Sequence, residues 1–234
     1  MSVENHRTRV RCDNPKLYRW KSLEANTPFA PFFDLPIYVD KYDRKLANDL
    51  VKLISEKSIG DFRKGQEIWL TYNLFDRKEK VVKDFADRIY QTYVEYNKEL
   101  GYSCLSKDKL WIRGWGTILH AGDYLLEHCH SSNENTYLSG FISLSTLGTT
   151  TDFNIPYISF DAGYWKLKNI IGETILFPSW AMHKVDANPT MDKRYSVSFD
   201  IFTEESMNHA KINRTKGRNT TGNSVLLSKR ISEV

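Results

Sequence analysis

Apolar residues along the chain change their period near residue 101. Before that point they recur every three or four positions. Leu46, Leu50, Leu53 and Ile54 share one face of a predicted helix that Asp43 caps and that runs to about Lys57. Val81, Val82, Phe85, Ile89, Tyr93 and Tyr96 share one face of a second. Asp76 followed by Glu79 has the spacing of a capping box for that helix, with Asp in place of Ser or Thr, and Gly101 is placed to end it. Beyond Gly101 the pattern shortens to strands rich in β-branched and aromatic residues: WIRGWGTILH (111–120), YLSGFISLS (137–145), IPYISF (155–160), ETILFP (173–178) and RYSVSFDIF (194–202). Upstream, FFDLPIYVD (32–40) reads as an opening strand and Glu67–Asn73 as a short extended piece. Residues 1–30, broken by Pro15 and Pro28 and followed by Pro31, read as irregular.

Helices followed by many short strands predict an α+β fold. The arrangement that fits is a double-stranded β-helix, a jelly-roll or cupin-like core, braced outside by two amphipathic N-terminal helices. On this reading residues 1–30 lead in and 31–206 form a single domain. Residues 41–101 give helical support and 108–203 the jelly-roll core. Residues 207–234 form a basic, flexible tail.

A chain of 234 residues fits one large domain or two small ones. Hydrophobic residues at 41% suffice for a substantial core, yet no run nears the roughly 18 needed to span a bilayer. The N-terminal MSVENHRTRVRCDNP lacks the apolar region of a secretory signal. Cys12, Cys104 and Cys129 are odd in number without CxxC spacing, which argues against a disulfide framework or zinc knuckle and for a reducing cytoplasm. The net charge of +4 is uneven: from Met207 onward six Lys or Arg face the single acid Glu233. Such a tail suits nucleic acid or an acidic partner, although a solvated, partly disordered terminus is the plainer reading. The main body has no basic surplus to continue a nucleic-acid track.

The chemistry concentrates in His128-Cys129-His130, His183 and Arg194. Two histidines one residue apart on an extended segment face the same side, and neutral imidazole ligates Fe(II), Zn, Cu or Ni. An HxH alone is a weak signal, since two surface histidines would look the same. His183 follows FPSWAM, where a strand ends, and strand ends converge only if a barrel closes around them. Of the six histidines, His6 and His209 fall in terminal segments and His120 on the preceding strand, which leaves these three. In KRYSVSFDIF, Arg194 and Ser196 alternate onto one face with Ser198. If that face is interior, the guanidinium needs an anion, which it grips in bidentate fashion with the serine adding a hydrogen bond. Trp115, Thr117 and Tyr124 fall near the expected pocket, where core packing is the competing role. Ser143 is a candidate cosubstrate contact. Cys129 alternates away from the metal.

Taken together, Trp111 or Trp115, Gly122-Asp123-Tyr124, His128-Cys129-His130, Ser139-Gly140, Gly172, Phe177-Pro178, His183 and Arg194-Tyr195-Ser196 resemble the catalytic core of the 2-oxoglutarate/Fe(II)-dependent oxygenase superfamily. The likeness is to an uncharacterised branch common in bacteria and phages, and it covers about residues 30–203. It implies a dioxygenase using Fe(II), 2-oxoglutarate and O2. The 2-oxo-acid end of the cosubstrate would chelate the metal, and its distal carboxylate would meet Arg194 and Ser196. Succinate and CO2 would be released and a C–H bond hydroxylated.

The chain departs from the superfamily where most members place a ligating acid: that position is His130. Three readings follow. The ligands are His128, His130 and His183; or Glu127, Asp123 or Asp152 supplies a carboxylate; or His130 stands behind the ligands or contacts the cosubstrate. The first is favoured, and strand alternation turns Glu127 away from His128. Other functions compete: a three-histidine dioxygenase that needs no 2-oxoglutarate, a non-catalytic jelly-roll module with structural zinc or no metal, and a nucleic-acid arm at 207–234. The expected substrate is a small molecule or an amino-acid or nucleobase-type group, chosen by loops near 60–75 and 146–165.

Overall fold

The computed structural model describes residues 16–22, 27–29, 32–56, 61–63, 66–68, 73–130, 137–155, 163–215 and 227–234. The strands are β1 (Lys16–Lys21), β2 (Asp34–Tyr42), β3 (Asp61–Arg63), β4 (Gln66–Ile68), β5 (Leu110–Leu119), β6 (Leu125–His128), β7 (Leu138–Ser143), β8 (Thr150–Asn154), β9 (Tyr164–Lys168), β10 (Glu173–Pro178), β11 (His183–Val185), β12 (Arg194–Thr203) and β13 (Lys229–Arg230). The helices are α1 (Arg44–Glu56), α2 (Lys80–Leu100) and α3 (Glu204–Thr215).

Two antiparallel sheets form. The larger runs β1-β2-β10-β7-β12-β5-β4-β3, with β13 also on β5; the smaller runs β6-β11-β8-β9. Alternation along the central strands separates two cores. Leu138 and Ile142 of β7, with Val197, Phe199 and Ile201 of β12, meet the apolar stripes of α1 and α2 on the outer face. Phe141, Phe153, Trp165, Ile175 and Phe177 fill the space between the sheets. Those helices therefore brace the outside of a double-stranded β-helix, as the pattern of apolar positions predicts.

Two glycines carry the close contacts. A Cβ on Gly140 would sit 2.3 Å from the Ile175 carbonyl oxygen and 2.5 Å from the Phe199 ring. Gly172 has φ +85° and presses on the Asp43 backbone, whose N–H donates to its carbonyl. That contact ties the start of α1 to β10, and the Asp43 carboxylate caps the helix by accepting from the Leu46 N–H at 2.9 Å. Gly101, at φ 75°, closes α2.

Three expectations change. The capping box of α2 does not form: Asp76 ends a short 3-10 turn, and Glu79, at the cap position, is held by Arg77 and makes no cap bond. Within the segment read as irregular, residues 16–21 form β1, paired along β2 and pinned by the Arg19–Asp34 fork. Of the strand expected at 155–160, Ile155 follows the end of β8, and 156–160 lie outside the described residues. The 207–234 stretch is not a free tail in its described parts. α3 continues β12, and Lys229 and Arg230 pair with β5. Ile231 is buried in the helical core, and Arg230 lies over the Trp111 ring. Pairing with β5 and the burial of Ile231 outweigh the local charge. Among the described residues no helix is long and apolar enough to cross a membrane.

Candidate metal centre and anion pocket

β6 and β11 pair so that His128 and His183 stand directly opposite each other. His130 follows two residues on, its N–H donating to the Ser179 carbonyl at 2.9 Å. The three imidazoles offer one ligand atom each, all within 4.8 Å of one another. Every Nδ1 is already engaged: His128 with the Leu126 carbonyl at 2.7 Å, His183 with the Ala181 carbonyl at 2.9 Å, and His130 with Asp200 Oδ1 at 2.5 Å. These acceptors place the proton on Nδ1 and leave the Nε2 lone pairs to converge, the state a metal requires. Burial, with the other two histidines, holds His183 well below its ordinary pKa; His128 is lowered mainly by burial. Lowered pKa values at His128 and His183, with the tautomers fixed at all three rings, fit a divalent cation.

Arg194 opens β12 and is 2% exposed. Its Nε donates to Thr149 Oγ1 at 3.1 Å, while Nη1 is buried without a partner. Burial alone depresses its pKa to about 10, and no acidic side chain pairs with it among the described residues. Such a guanidinium is a site for a carboxylate.

Histidines and arginine line one cavity of about 500 Å³. Alternation on β12 aims Arg194, Ser196, Ser198 and Asp200 into it; β5 adds Arg113, Trp115 and Thr117, and Phe141 and Thr151 complete the wall. Ser143, cross-strand from Ser196, does not line it; its hydroxyl donates to Asn169 Oδ1 at 3.4 Å. Tyr124 is half exposed and away from the wall. The three acids weighed as ligands are engaged elsewhere. Asp123 accepts from the His120 N–H, and Glu127, at the cavity rim, accepts from Asn154 and Tyr164. Asp152 accepts from Thr150, on the strand face opposite the inward Thr151.

Several residues escape the sequence reading. Asp200 is legible in retrospect, because the alternation that places Arg194, Ser196 and Ser198 inside continues to it. Thr149 and Asn169, whose Nδ2 donates to Thr149 Oγ1 at 3.0 Å, cradle the arginine from a turn and a strand end, where no periodicity marks them.

A family model described as putative 2OG-Fe(II) oxygenase matches residues 145–200, the stretch holding His183, Arg194, Ser196 and Asp200. Over that segment the chain is similar to the 2-oxoglutarate/Fe(II) oxygenases. Among solved structures, a Pseudomonas putida prolyl-4-hydroxylase superposes with a TM-score of 0.57 at 10% identity, covering 72% of this chain and 92% of that one. A Trichoplax adhaerens prolyl hydroxylase, in complex with a hypoxia inducible factor oxygen degradation domain peptide fragment, gives 0.56 at 12% identity, covering 72% and 84%. At such identities these likenesses speak for the fold. No curated relative matches the sequence. The matching family is named for iron and 2-oxoglutarate, and this chain has donors for each. Its donor set suits both: three convergent imidazole nitrogens for the metal, and one buried, unpartnered guanidinium nitrogen for the acid.

Proposed function

We propose that the chain is a dioxygenase that hydroxylates its substrate while converting 2-oxoglutarate and O2 to succinate and CO2. In this reading His128, His130 and His183 hold Fe(II), and Arg194 with Ser196 holds the distal carboxylate. One observation carries it: an inward Arg194, its Nη1 buried without a partner, shares a cavity with three metal-ready histidines. Bound iron would supply dioxygen activation, the electrons coming from the 2-oxo acid and the substrate C–H bond.

The chain's own residues then do three things. The Nδ1 acceptors fix the tautomer that aims each Nε2 lone pair inward. Arg194, steadied by Thr149, fixes the cosubstrate at its far end and so sets the angle at which its 2-oxo-acid end arrives. Phe141, Trp115 and Val185 keep the wall apolar and limit water around the reacting carbon. The cavity space beyond the cosubstrate takes a small molecule, or an amino-acid or nucleobase-type group offered at the mouth. A cytoplasmic setting fits the exposed free thiol of Cys104.

Arg194 also ranks the alternatives. A three-histidine dioxygenase without 2-oxoglutarate has no use for a buried cation there, and neither has a structural zinc module. Oxygen-free addition of Fe(II) and then 2-oxoglutarate is the test. A weak visible charge-transfer band is expected, lost in Arg194→Ala and His183→Ala. Iron binding without the band would refute the cosubstrate assignment; no iron binding would refute the oxygenase reading of these residues.

A further inference from the structure

The three histidines are not held alike. His128 and His183 donate from Nδ1 to neutral backbone carbonyls. Of the three, His130 alone donates to a carboxylate, Asp200 Oδ1 at 2.5 Å, and in the superfamily that the sequence resembles its position is that of a ligating acid. Both partners are nearly closed off, with side chains 8% and 10% exposed. Asp200 is itself held from two other strands. The Ser139 hydroxyl of β7 donates to the same oxygen at 2.6 Å, and Arg113 of β5 lies directly opposite in register, its charge acting on Asp200.

We propose that Asp200 is a positioning residue that returns to the metal centre, through the His130 ring, the negative charge of the missing acid ligand. The inference rests on the three-histidine reading above and deepens it. A carboxylate only accepts, so it locks the proton on His130 Nδ1 and the lone pair on Nε2. It also makes the ring a stronger donor than one bound to a carbonyl, since a charge-assisted hydrogen bond draws the Nδ1 proton away from the ring. The acid has moved one residue outward from the metal. Arg113 and Ser139 keep it in place from neighbouring strands.

Co(II) titration, followed by calorimetry and by the visible d–d bands, tests this on wild type, Asp200→Ala, Asp200→Asn and His183→Ala. Wild type should bind one equivalent, and His183→Ala should lose it. Asp200→Ala should bind roughly ten- to a hundredfold more weakly with shifted bands. Asp200→Asn, which keeps an accepting oxygen without the charge, should fall between. A merely structural Asp200 would lower the metal-free melting temperature and leave the affinity of the folded protein and its spectrum unchanged. That result in both Asp200 variants overturns the proposal. Unchanged binding in His183→Ala, or no binding by wild type, removes the three-histidine reading and the Asp200 role with it. Should neither Asp200 variant fold, long-range 1H–15N correlation on the wild type decides: a His130 ring protonated on Nε2 overturns the proposal, and one protonated on Nδ1 supports it.

Discussion

Arg194→Met should make the protein more stable and less able to bind its cosubstrate. The guanidinium is 2% exposed, and burial is the single cause of its fall to about 10. That fall corresponds to about 3 kcal/mol of destabilisation at neutral pH. The sign follows from linkage. A base with a depressed folded pKa costs stability wherever it is charged in both states, so the full cost applies below about pH 10 and fades as the pH rises beyond it. Methionine removes the charge and keeps most of the volume. It forfeits the bond to Thr149, about 1 kcal/mol, for a net gain of about 2 kcal/mol. In a chain of this size that raises Tm by roughly 4–8 °C. Cosubstrate reverses the order. At a hundredfold excess over its Kd, 2-oxoglutarate should stabilise the wild type by about 2.7 kcal/mol. Losing a buried charge partner weakens binding by about 2–5 kcal/mol, so the same concentration should barely move the variant. Thermal unfolding of Mn(II)-loaded protein without oxygen, with and without 2-oxoglutarate, reads both effects. A variant that is less stable alone, or equally stabilised by 2-oxoglutarate, would falsify the reasoning.

Metal-free protein should lose stability as pH falls below about 6.5. His183 and His128 are depressed in the fold, so the unfolded chain binds more protons there. Melting scans from pH 8 to 5 should show a slope that His183→Ala reduces; an equal slope in the variant would count against it. Gly140→Ala forces a methyl against the Ile175 carbonyl and the Phe199 ring and should cost about 1–3 kcal/mol, read as a lower urea midpoint. Asn73→Ala strands the Phe75 and Gly114 N–H groups and releases the Leu227 carbonyl. A loss of about 2–4 kcal/mol is expected, with faster proteolysis near residue 227; an unchanged cleavage pattern would argue against this tie.

Where side chains repeat with a fixed period, the sequence is readable. α1, α2, β10 and β12 match their apolar patterns closely, and the inward face of β12 exposes Arg194 and Ser196 before any coordinates. β1 is hidden because half of KLYRWK is charged and its apolar residues do not alternate; its order comes from pairing with β2 and the Arg19–Asp34 fork, which only the fold brings together. The Lys229–Arg230 strand is masked in the same way by its own charge. The capping box fails for a different reason: the spacing is right, but Arg77 competes for Glu79. Thr149 and Asn169 reach Arg194 through a turn and a strand end, geometry that short-range patterns do not encode.

The strand register described above also dictates when the site comes into being. β2 meets β10 across more than 130 residues, with Tyr38 opposite Leu176, and β12 returns to β5 across more than 70, with Arg194 opposite Leu119. Contacts this distant in sequence form late and slowly. His128 and His183 can meet only when the small sheet pairs, and Arg194 reaches them only when β12 docks. A slip of β12 by one residue would turn Arg194, Ser196, Ser198 and Asp200 together toward the helices. Folding yield and iron competence should therefore rise and fall as one quantity, because a misregistered chain loses the anion anchor and the partner of His130 in the same step.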